Sequence, residues 1–181
     1  MSKGEIHLVL GGSRSGKSSF ALKLAESLGD SRTFIATAPV LDVEMKERIH
    51  KHKLERQGRG WNTIEEQTKL ASVLADLKSS VVLIDCLTLW INNLLYVAGA
   101  GSPAAELTEE DIAKHSLALM KSSRQSGSTV IFVSNEVGLG IVPENRLARR
   151  FRDMAGRCNQ IVAAEAEHVH FLVSGIPMRI K

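Results

Sequence analysis

The sequence carries a phosphate-binding motif near its amino terminus. Residues 11–18, GGSRSGKS, satisfy the pattern G-x-x-x-x-G-K-[ST]. In such a loop the backbone N–H groups point at phosphate oxygens, and the dipole of the following helix favours negative charge. Lys17 would reach the β- and γ-phosphates of a nucleoside triphosphate, and the Ser18 hydroxyl would face Mg²⁺. The motif therefore predicts binding of a nucleoside triphosphate and leaves the reaction open.

Two carboxylates follow apolar runs that are typical of strands. Asp85 ends the run VVLID, and Glu136 comes directly after IFVSN. A carboxylate at the carboxyl end of a strand beside a phosphate loop commonly holds Mg²⁺, directly or through water. The alternative for Asp85 is a buried, hydrogen-bonded side chain or a helix N-cap before Leu87. Glu136 would bind metal, orient a substrate hydroxyl or cap a turn, and the pattern does not choose between these roles.

Two histidines lie in the charged segment 45–56, MKERIHKHKLER. His50 and His52 are two residues apart, so on a helix they point in nearly opposite directions and would not share one metal. An apolar stripe with a four-residue period passes through Ile49 and reaches His52, which directs His52 towards the domain. The flanking lysines and arginine attract phosphate and favour a neutral imidazole, which is able to attack phosphorus. The alternative is a histidine at the edge of the core, hydrogen-bonded to backbone.

Strands alternating with helices would position these side chains. Short apolar runs predict strands at 6–10, 32–39, 79–86 and 128–136. Two closing strands are expected to form a hairpin around Gly175–Pro177. Such alternation predicts an α/β fold: a P-loop NTPase-type, mostly parallel sheet flanked by helices, with a C-terminal β-hairpin. We expect residues 1–181 to form a single nucleotide-binding domain.

Helical periodicity predicts the connecting segments. One helix follows the phosphate loop, another opens near Asp42 and ends at QGRG, and a third covers LTLWINNLLYV. Thr108 and Asp111 resemble a capping box for a helix at 109–123. Pro143 is expected at the start of a helix over 144–166. The low-complexity stretch 98–107 is predicted to be a loop.

Composition and charge limit the protein classes. The chain has 181 residues, 44% of them hydrophobic, and a formal net charge of +3. Because no dense Lys/Arg run occurs, we expect no nucleic-acid partner. Cys86 and Cys158 form no C-x-x-C pair, which favours a reduced, cytoplasmic setting. The amino terminus lacks the features of a signal peptide, and Asn92 and Asn93 interrupt the run CLTLWINNLLYVAGA, which predicts no membrane span.

Further motifs resemble one known family. They are IATA, D-x-E-M-x-x-R-I-x-x-H-K, W-x-T-x-E, D-C-L-T-x-W-x-x-N-L and NEVGLGIVPENRLARRFRDMAGRCNQ. Together with the phosphate loop they resemble adenosylcobinamide kinase/adenosylcobinamide-phosphate guanylyltransferase over nearly the whole chain. The resemblance implies phosphorylation of the aminopropanol hydroxyl of adenosylcobinamide. It also implies transfer of GMP from GTP onto that phosphate through a guanylylated histidine, with release of pyrophosphate.

The same resemblance assigns roles to individual residues. The family's nucleophile follows R-I after two intervening residues, which is His52 here, and Lys17 is the second catalytic residue. Mg²⁺ would be held by Ser18 and by Asp85, which stands where relatives can carry a glutamate. The implied nucleotide contacts are Gly11, Gly12, Ser13, Arg14, Ser15, Gly16, Lys17, Ser18, Thr37, Ala38, Pro39, Lys53, Leu54, Glu55, Arg56, Glu65 and Asp85.

The resemblance also implies partners. ATP and GTP would be substrates, together with adenosylcobinamide and adenosylcobinamide phosphate, and the assembly would be a homotrimer. The residues do not rank ATP against GTP as phosphoryl donor, nor do they place the corrinoid. Two other hypotheses for the function remain open: a P-loop small-molecule kinase without a covalent intermediate, and a non-catalytic nucleotide switch.

Overall fold

Seven strands form one mostly parallel sheet. The computed structural model describes residues 4–39, 47, 53–54, 56–101 and 107–181. The strands are β1 (Ile6–Gly11), β2 (Arg32–Ala36), β3 (Trp61–Glu65), β4 (Val81–Asp85), β5 (Thr129–Asn135), β6 (His168–Val173) and β7 (Ile176–Arg179). Their order is β3-β2-β4-β5-β1-β6-β7. All neighbours are parallel except β6 and β7, which form an antiparallel hairpin. The predicted sheet and hairpin are therefore confirmed.

Five helices within the described residues connect the strands. They are α1 (Lys17–Leu28), α2 (Leu70–Asp76), α3 (Leu87–Gly101), α4 (Glu109–Ser126) and α5 (Arg146–Glu165). The capping box before α4 is confirmed: Thr108 accepts from the Asp111 N–H, and Asp111 accepts from the Thr108 N–H. No helix in the described part of the chain is long and apolar enough to cross a membrane.

The helices cover both faces of the sheet, and β4 shows how. Val81 and Leu83 pack with α1 on one face, while Val82 and Ile84 pack with the other four helices on the opposite face. Successive side chains of a strand point to opposite faces, so a strand covered on both sides is apolar at every position. All four residues are fully buried. This explains the uniform apolar run that predicted a central strand.

Several details of the fold differ from the predictions. The sequence reasoning missed β3 and α2; β3 is a sheet-edge strand with largely exposed side chains, and α2 has only 7 residues. The helix α5 begins after Asn145, whose side chain accepts from the Ala148 N–H, so Pro143 lies in the preceding loop. The helix α3 continues to Gly101, inside the predicted loop 98–107, whose residues 102–106 lie outside the described ranges.

The C-terminal hairpin turns earlier than predicted. Ser174 and Gly175 form the turn with φ of 50° and 85°, in the left-handed region that suits a tight two-residue connection. Pro177 lies inside β7, opposite Leu172. An edge strand tolerates proline because one side of its backbone has no partner strand.

Candidate active site

The phosphate loop occupies the connection between β1 and α1. Gly11 has φ of 154° and Gly16 has φ of 92°, and Gly16 is the N-cap of α1. A Cβ atom on Gly11 would lie 2.6 Å from the Ser15 Oγ and 2.7 Å from the Leu172 carbonyl oxygen. Such contacts are too close for any side chain, so the tight path of this loop requires glycine.

The hairpin turn between β6 and β7 packs against the phosphate loop and supports it. The Gly175 N–H donates to the Ser15 carbonyl at 2.9 Å. A Cβ atom on Gly16 would lie 3.3 Å from the Gly175 Cα, so the two backbones are in close contact. No local motif links positions so far apart in sequence, and the sequence reasoning missed this support.

Lys17 lies at the mouth of the loop. Its side chain is largely buried, and its Nζ donates to the Gly12 carbonyl at 2.7 Å. The same side chain lines a cavity of about 260 Å³. An ammonium held in this position would meet the phosphates of a nucleotide bound on the loop.

This cavity lies where four neighbouring parallel strands end. The carboxyl ends of parallel strands meet at one edge of a sheet, which is the usual ligand site of open α/β folds. β2, β4 and β5 contribute side chains there, and the phosphate loop follows β1. The lining residues are Ser13, Arg14, Lys17, Ser18, Phe34, Ala36, Ala38, Lys53, Arg56, Asp85, Cys86, Leu89 and Asn135.

The predicted site residues fall into four groups. Those on the cavity wall are Ser13, Arg14, Lys17, Ser18, Ala38, Lys53, Arg56 and Asp85. Gly11, Gly12, Ser15 and Gly16 form the loop backbone, while Thr37 is buried and Pro39 is half-buried beyond β2. Leu54 and Glu65 line an adjoining groove. His52 and Glu55, like His50, lie outside the described residues. The helix predicted to begin near Asp42 is described at only four positions, and all four are helical: Glu47, Lys53, Leu54 and Arg56.

Thr37 joins the ends of β2 and β4. Its Oγ1 donates to the Cys86 carbonyl at 2.8 Å and accepts from the Cys86 N–H at 2.7 Å. Its own N–H donates to the Asp85 carbonyl at 3.2 Å, and its carbonyl accepts from the Asn93 side chain at 2.8 Å. Three of these hydrogen bonds hold the backbone of Asp85 and Cys86, which positions the Asp85 carboxylate at the cavity wall, and the fourth ties Thr37 to α3.

Cys86 is not a candidate nucleophile. Burial, with a smaller contribution from the neighbouring Asp85 carboxylate, raises the pKa of the Cys86 thiol to about 12. The thiol therefore stays protonated at neutral pH, whereas thiol nucleophiles react as thiolates.

Phe34 and Arg56 form a wall of the cavity that the sequence reasoning described only in part. The Arg56 guanidinium Cζ lies 3.6 Å from the centre of the Phe34 ring, and both side chains are buried. A cation stacked on an aromatic face in a desolvated place contributes roughly 2 kcal/mol. Phe34 lies two residues before Ala36 on β2, so the two side chains share a face of the strand. This spacing was the sequence signal that could have indicated Phe34 as a wall residue.

Asn135 was also missed, although it ends an apolar run as Asp85 does. Its N–H donates to the Thr88 Oγ1 at 2.8 Å, and its carbonyl accepts from the Asn159 side chain at 3.1 Å. These bonds hold the end of β5 at the cavity. The neighbouring Glu136 accepts from the Gly138 N–H at 3.0 Å. Of the three roles considered for Glu136, this contact agrees with turn capping.

An open groove of about 530 Å³ adjoins the cavity. Lys53 and Arg56 line both, so they separate the two spaces. Lys53 Nζ pairs with Glu65 Oε1 at 2.6 Å. The remaining lining residues of the groove are Leu54, Gln57, Trp61 and Thr63. The site thus offers a pocket beside the phosphate loop and a wider, more open groove next to it.

Solved structures share this fold. One example is described as "Crystal structure of flagellar accessory protein FlaH from Methanocaldococcus jannaschii", with a TM-score of 0.54 and 15% sequence identity. The alignment covers 100% of this chain and 80% of that chain. At such low identity the likeness concerns the fold alone.

Sequence relatives are much more similar. "Bifunctional adenosylcobalamin biosynthesis protein CobU" of Escherichia coli (strain K12) is 44% identical, over 96% of this chain and 98% of that protein. The protein of the same name from Salmonella typhimurium is 42% identical, again over 96% and 98%. The profile of the family described as "Cobinamide kinase / cobinamide phosphate guanyltransferase" matches residues 7–180. With a match that begins within β1 and continues past β7, this chain belongs to the cobinamide kinase/cobinamide phosphate guanyltransferase family.

Proposed function

We propose that this protein phosphorylates the aminopropanol hydroxyl of adenosylcobinamide and then transfers GMP from GTP to the resulting phosphate. The observation that carries the proposal is one cavity, at the strand ends of a chain of this family, that combines the phosphate loop, Lys17 and Asp85. Both reactions handle a nucleoside triphosphate, and a single phosphate loop serves both. The products are adenosylcobinamide-GDP and pyrophosphate.

The first reaction moves a γ-phosphoryl group. The substrate hydroxyl oxygen attacks the γ-phosphorus, the bond from that phosphorus to the bridging oxygen breaks, and a nucleoside diphosphate leaves. Catalysis of such a transfer consists mostly of positioning and charge stabilisation. The Lys17 ammonium and the loop N–H groups supply positive charge where the phosphate oxygens lie. The family resemblance is compatible with either ATP or GTP as the phosphoryl donor.

The residues of the cavity fit Mg²⁺. Ser18 offers a hydroxyl oxygen and Asp85 a carboxylate oxygen, and both side chains line the same cavity. Oxygen donors are the ligands that Mg²⁺ prefers, and it is usually bound by one or two carboxylates together with substrate phosphates. When bound there, it neutralises phosphate charge. Asp85 is held in position by the Thr37 hydrogen bonds described above.

The second reaction passes through a covalent intermediate on His52. A neutral imidazole nitrogen attacks the α-phosphorus of GTP, an N–P bond forms, and pyrophosphate leaves. A phosphate oxygen of adenosylcobinamide phosphate then attacks the same phosphorus, and the N–P bond breaks. His52 precedes Lys53, whose side chain lines both the cavity and the open groove. This neighbourhood supports His52 as the residue that meets both substrates.

Isotope labelling tests the function. Incubation of the protein with [α-³²P]GTP and Mg²⁺ is expected to give an acid-labile, alkali-stable label, because the N–P bond is a phosphoramidate. [γ-³²P]GTP is the control and should leave the protein unlabelled, since that phosphate departs in pyrophosphate. Addition of adenosylcobinamide phosphate should move the label to adenosylcobinamide-GDP. Absence of the α-label would favour a kinase without a covalent intermediate.

Arg56 is expected to contribute to nucleotide affinity. The variant Arg56→Ala removes the guanidinium that stacks on Phe34 at the cavity wall. We expect the KM for GTP to rise about tenfold or more, which corresponds to the loss of one charge-assisted hydrogen bond to the nucleotide. The matched control is Arg157→Ala, because Arg157 is exposed on α5. Equal KM values for the two variants would contradict a role for Arg56 in binding.

We also propose that residues 1–181 act as one domain within a homotrimer. Four large apolar side chains around the loop before α5 support association, because they are at least 58% exposed: Leu139, Ile141, Val142 and Leu147. Sedimentation equilibrium is expected to give three times the chain mass of 19.7 kDa. The variant Ile141→Asp should lower that mass. A wild-type protein that sediments as a single chain would contradict the trimer.

A further inference from the structure

A second cluster of ligand side chains lies at the opposite edge of the sheet. Glu5 precedes β1, His7 lies within it, and His168 begins β6. His7 and His168 are aligned in the parallel pairing of β1 with β6. Aligned residues of neighbouring strands share a face, as do residues two apart in one strand, so the three side chains converge. Each offers one ligand atom, and these atoms lie within 4.8 Å of one another.

His7 is the unusual member of this cluster. Its side chain is 5% exposed, yet neither ring nitrogen has a hydrogen-bond partner among the residues that the structure describes. The Nε2 atom lies 3.6 Å from Glu5 Oε2, beyond hydrogen-bond distance, and the ring centre is 4.5 Å from that of His168. Buried polar atoms without partners are rare, and a bound ion is one of the recognised explanations.

We propose that Glu5, His7 and His168 bind a divalent cation of the late first-row transition metals, such as Zn²⁺. Two imidazoles and one carboxylate suit zinc, cobalt or nickel, whereas Mg²⁺ and Ca²⁺ prefer oxygen donors. Ligand atoms around a tetrahedral ion are about 3.3 Å apart, so the cluster needs only a modest contraction. Glu5 is 52% exposed and His168 is 25% exposed, which leaves an entry path and room for a water as fourth ligand.

Arg179 competes with the cation for His168. Its Nη2 lies 3.0 Å from His168 Nδ1. A guanidinium only donates hydrogen bonds, so Nδ1 accepts and the proton of a neutral ring lies on Nε2, which faces Glu5 at 3.3 Å. Binding of the cation by Nε2 moves that proton to Nδ1 and ends the contact with Arg179. Removal of the guanidinium should therefore strengthen binding.

The proposed site is structural. His7 and Gly11 are four residues apart on β1, which corresponds to about 13 Å, so the ion does not reach the phosphate loop. It joins β1 to β6, the strand that leads into the hairpin supporting Ser15 and Gly16. A ligand that binds only the folded chain stabilises it; at about a hundredfold above Kd we expect Tm to rise by roughly 5–10 °C.

Cobalt spectroscopy tests the proposal. Untagged, metal-free protein in excess Mg²⁺ is titrated with Co²⁺, and visible d–d bands of a tetrahedral ion are expected to saturate at one equivalent. Zn²⁺ should abolish the bands and raise Tm. Glu5→Gln and His168→Gln are expected to weaken binding about tenfold or more, since each loses a ligand. His115→Gln, at an exposed position on α4, is the matched control and should bind like the wild type.

The variant Arg179→Gln tests the proposal in the opposite direction, because it should bind the cation more tightly than the wild type. Its titration midpoint is expected to shift to lower Co²⁺, because the competing donor is gone. Circular dichroism and GTP labelling show that each variant is folded, so a lost site is distinguished from a lost fold. The proposal is wrong if the wild type shows no tetrahedral bands, if Glu5→Gln and His168→Gln bind as tightly as the wild type, or if Arg179→Gln binds more weakly.

Discussion

Lys17→Ala is expected to lower kcat/KM at least a hundredfold in both the kinase and the guanylyltransfer reaction. The ammonium lies at the mouth of the phosphate loop, held by the Gly12 carbonyl at 2.7 Å in a largely buried position. Removal of one preorganised donor to a developing oxyanion typically costs about 10²–10³ in rate. Both reactions require the same loop, so both should fall together. Steady-state assays of phosphorylated corrinoid and of released pyrophosphate measure the two effects.

Lys23→Ala is the matched control for this experiment. Lys23 lies on the same helix, α1, but is exposed to solvent. Its replacement should leave both rates close to those of the wild type. If Lys17→Ala retained near-normal rates at saturating nucleotide, the assignment of Lys17 to the triphosphate would be wrong.

His52→Ala is expected to abolish covalent guanylylation, while His50→Ala keeps most of it. The two positions point in nearly opposite directions on a helix, and only His52 continues the apolar stripe through Ile49. The family spacing selects the same residue. Labelling with [α-³²P]GTP measures the covalent step, and formation of adenosylcobinamide-GDP measures the transfer. Protein label at the wild-type level in His52→Ala would contradict the assignment.

The kinase reaction separates loss of the nucleophile from loss of the fold. Phosphoryl transfer to the substrate hydroxyl requires no histidine nucleophile, so His52→Ala should still phosphorylate adenosylcobinamide. Lys17→Ala, in contrast, should lose both activities. If His52→Ala were inactive in both reactions, with a normal circular dichroism spectrum, His52 would have to serve the shared nucleotide site as well.

Local patterns in the sequence determined the phosphate loop and most strands. The uniform run at 81–84 indicated a strand covered on both faces, and the glycines of 11–18 indicated the strand-to-helix turn. The capping box at Thr108 also depends only on residues three apart. Each feature rests on contacts between near neighbours in the chain or on burial of a whole segment, and the sequence records both directly.

Edge elements were harder to predict, because weak burial leaves a weak pattern. The strand β3, WNTIE, packs at the edge of the sheet and keeps several side chains exposed. Its place is determined by parallel pairing with β2, from Arg32 opposite Trp61 to Ala36 opposite Glu65. The short helix α2 buries only Leu70 and Leu74 fully. Neither segment has an apolar period long enough to distinguish it from a loop.

Tertiary structure alone decided which distant residues hold the site residues in place. Arg56 stacks on Phe34, Thr37 bonds to Cys86 and Gly175 supports Ser15, and each pair is far apart in the sequence. Such contacts follow from the order of strands in the sheet, which no local spacing encodes. The sequence by itself therefore determined the chemistry of the phosphate loop and the family, because both depend on residue types at short spacings. The walls of the cavity and the support of the loop depend on how distant segments pack.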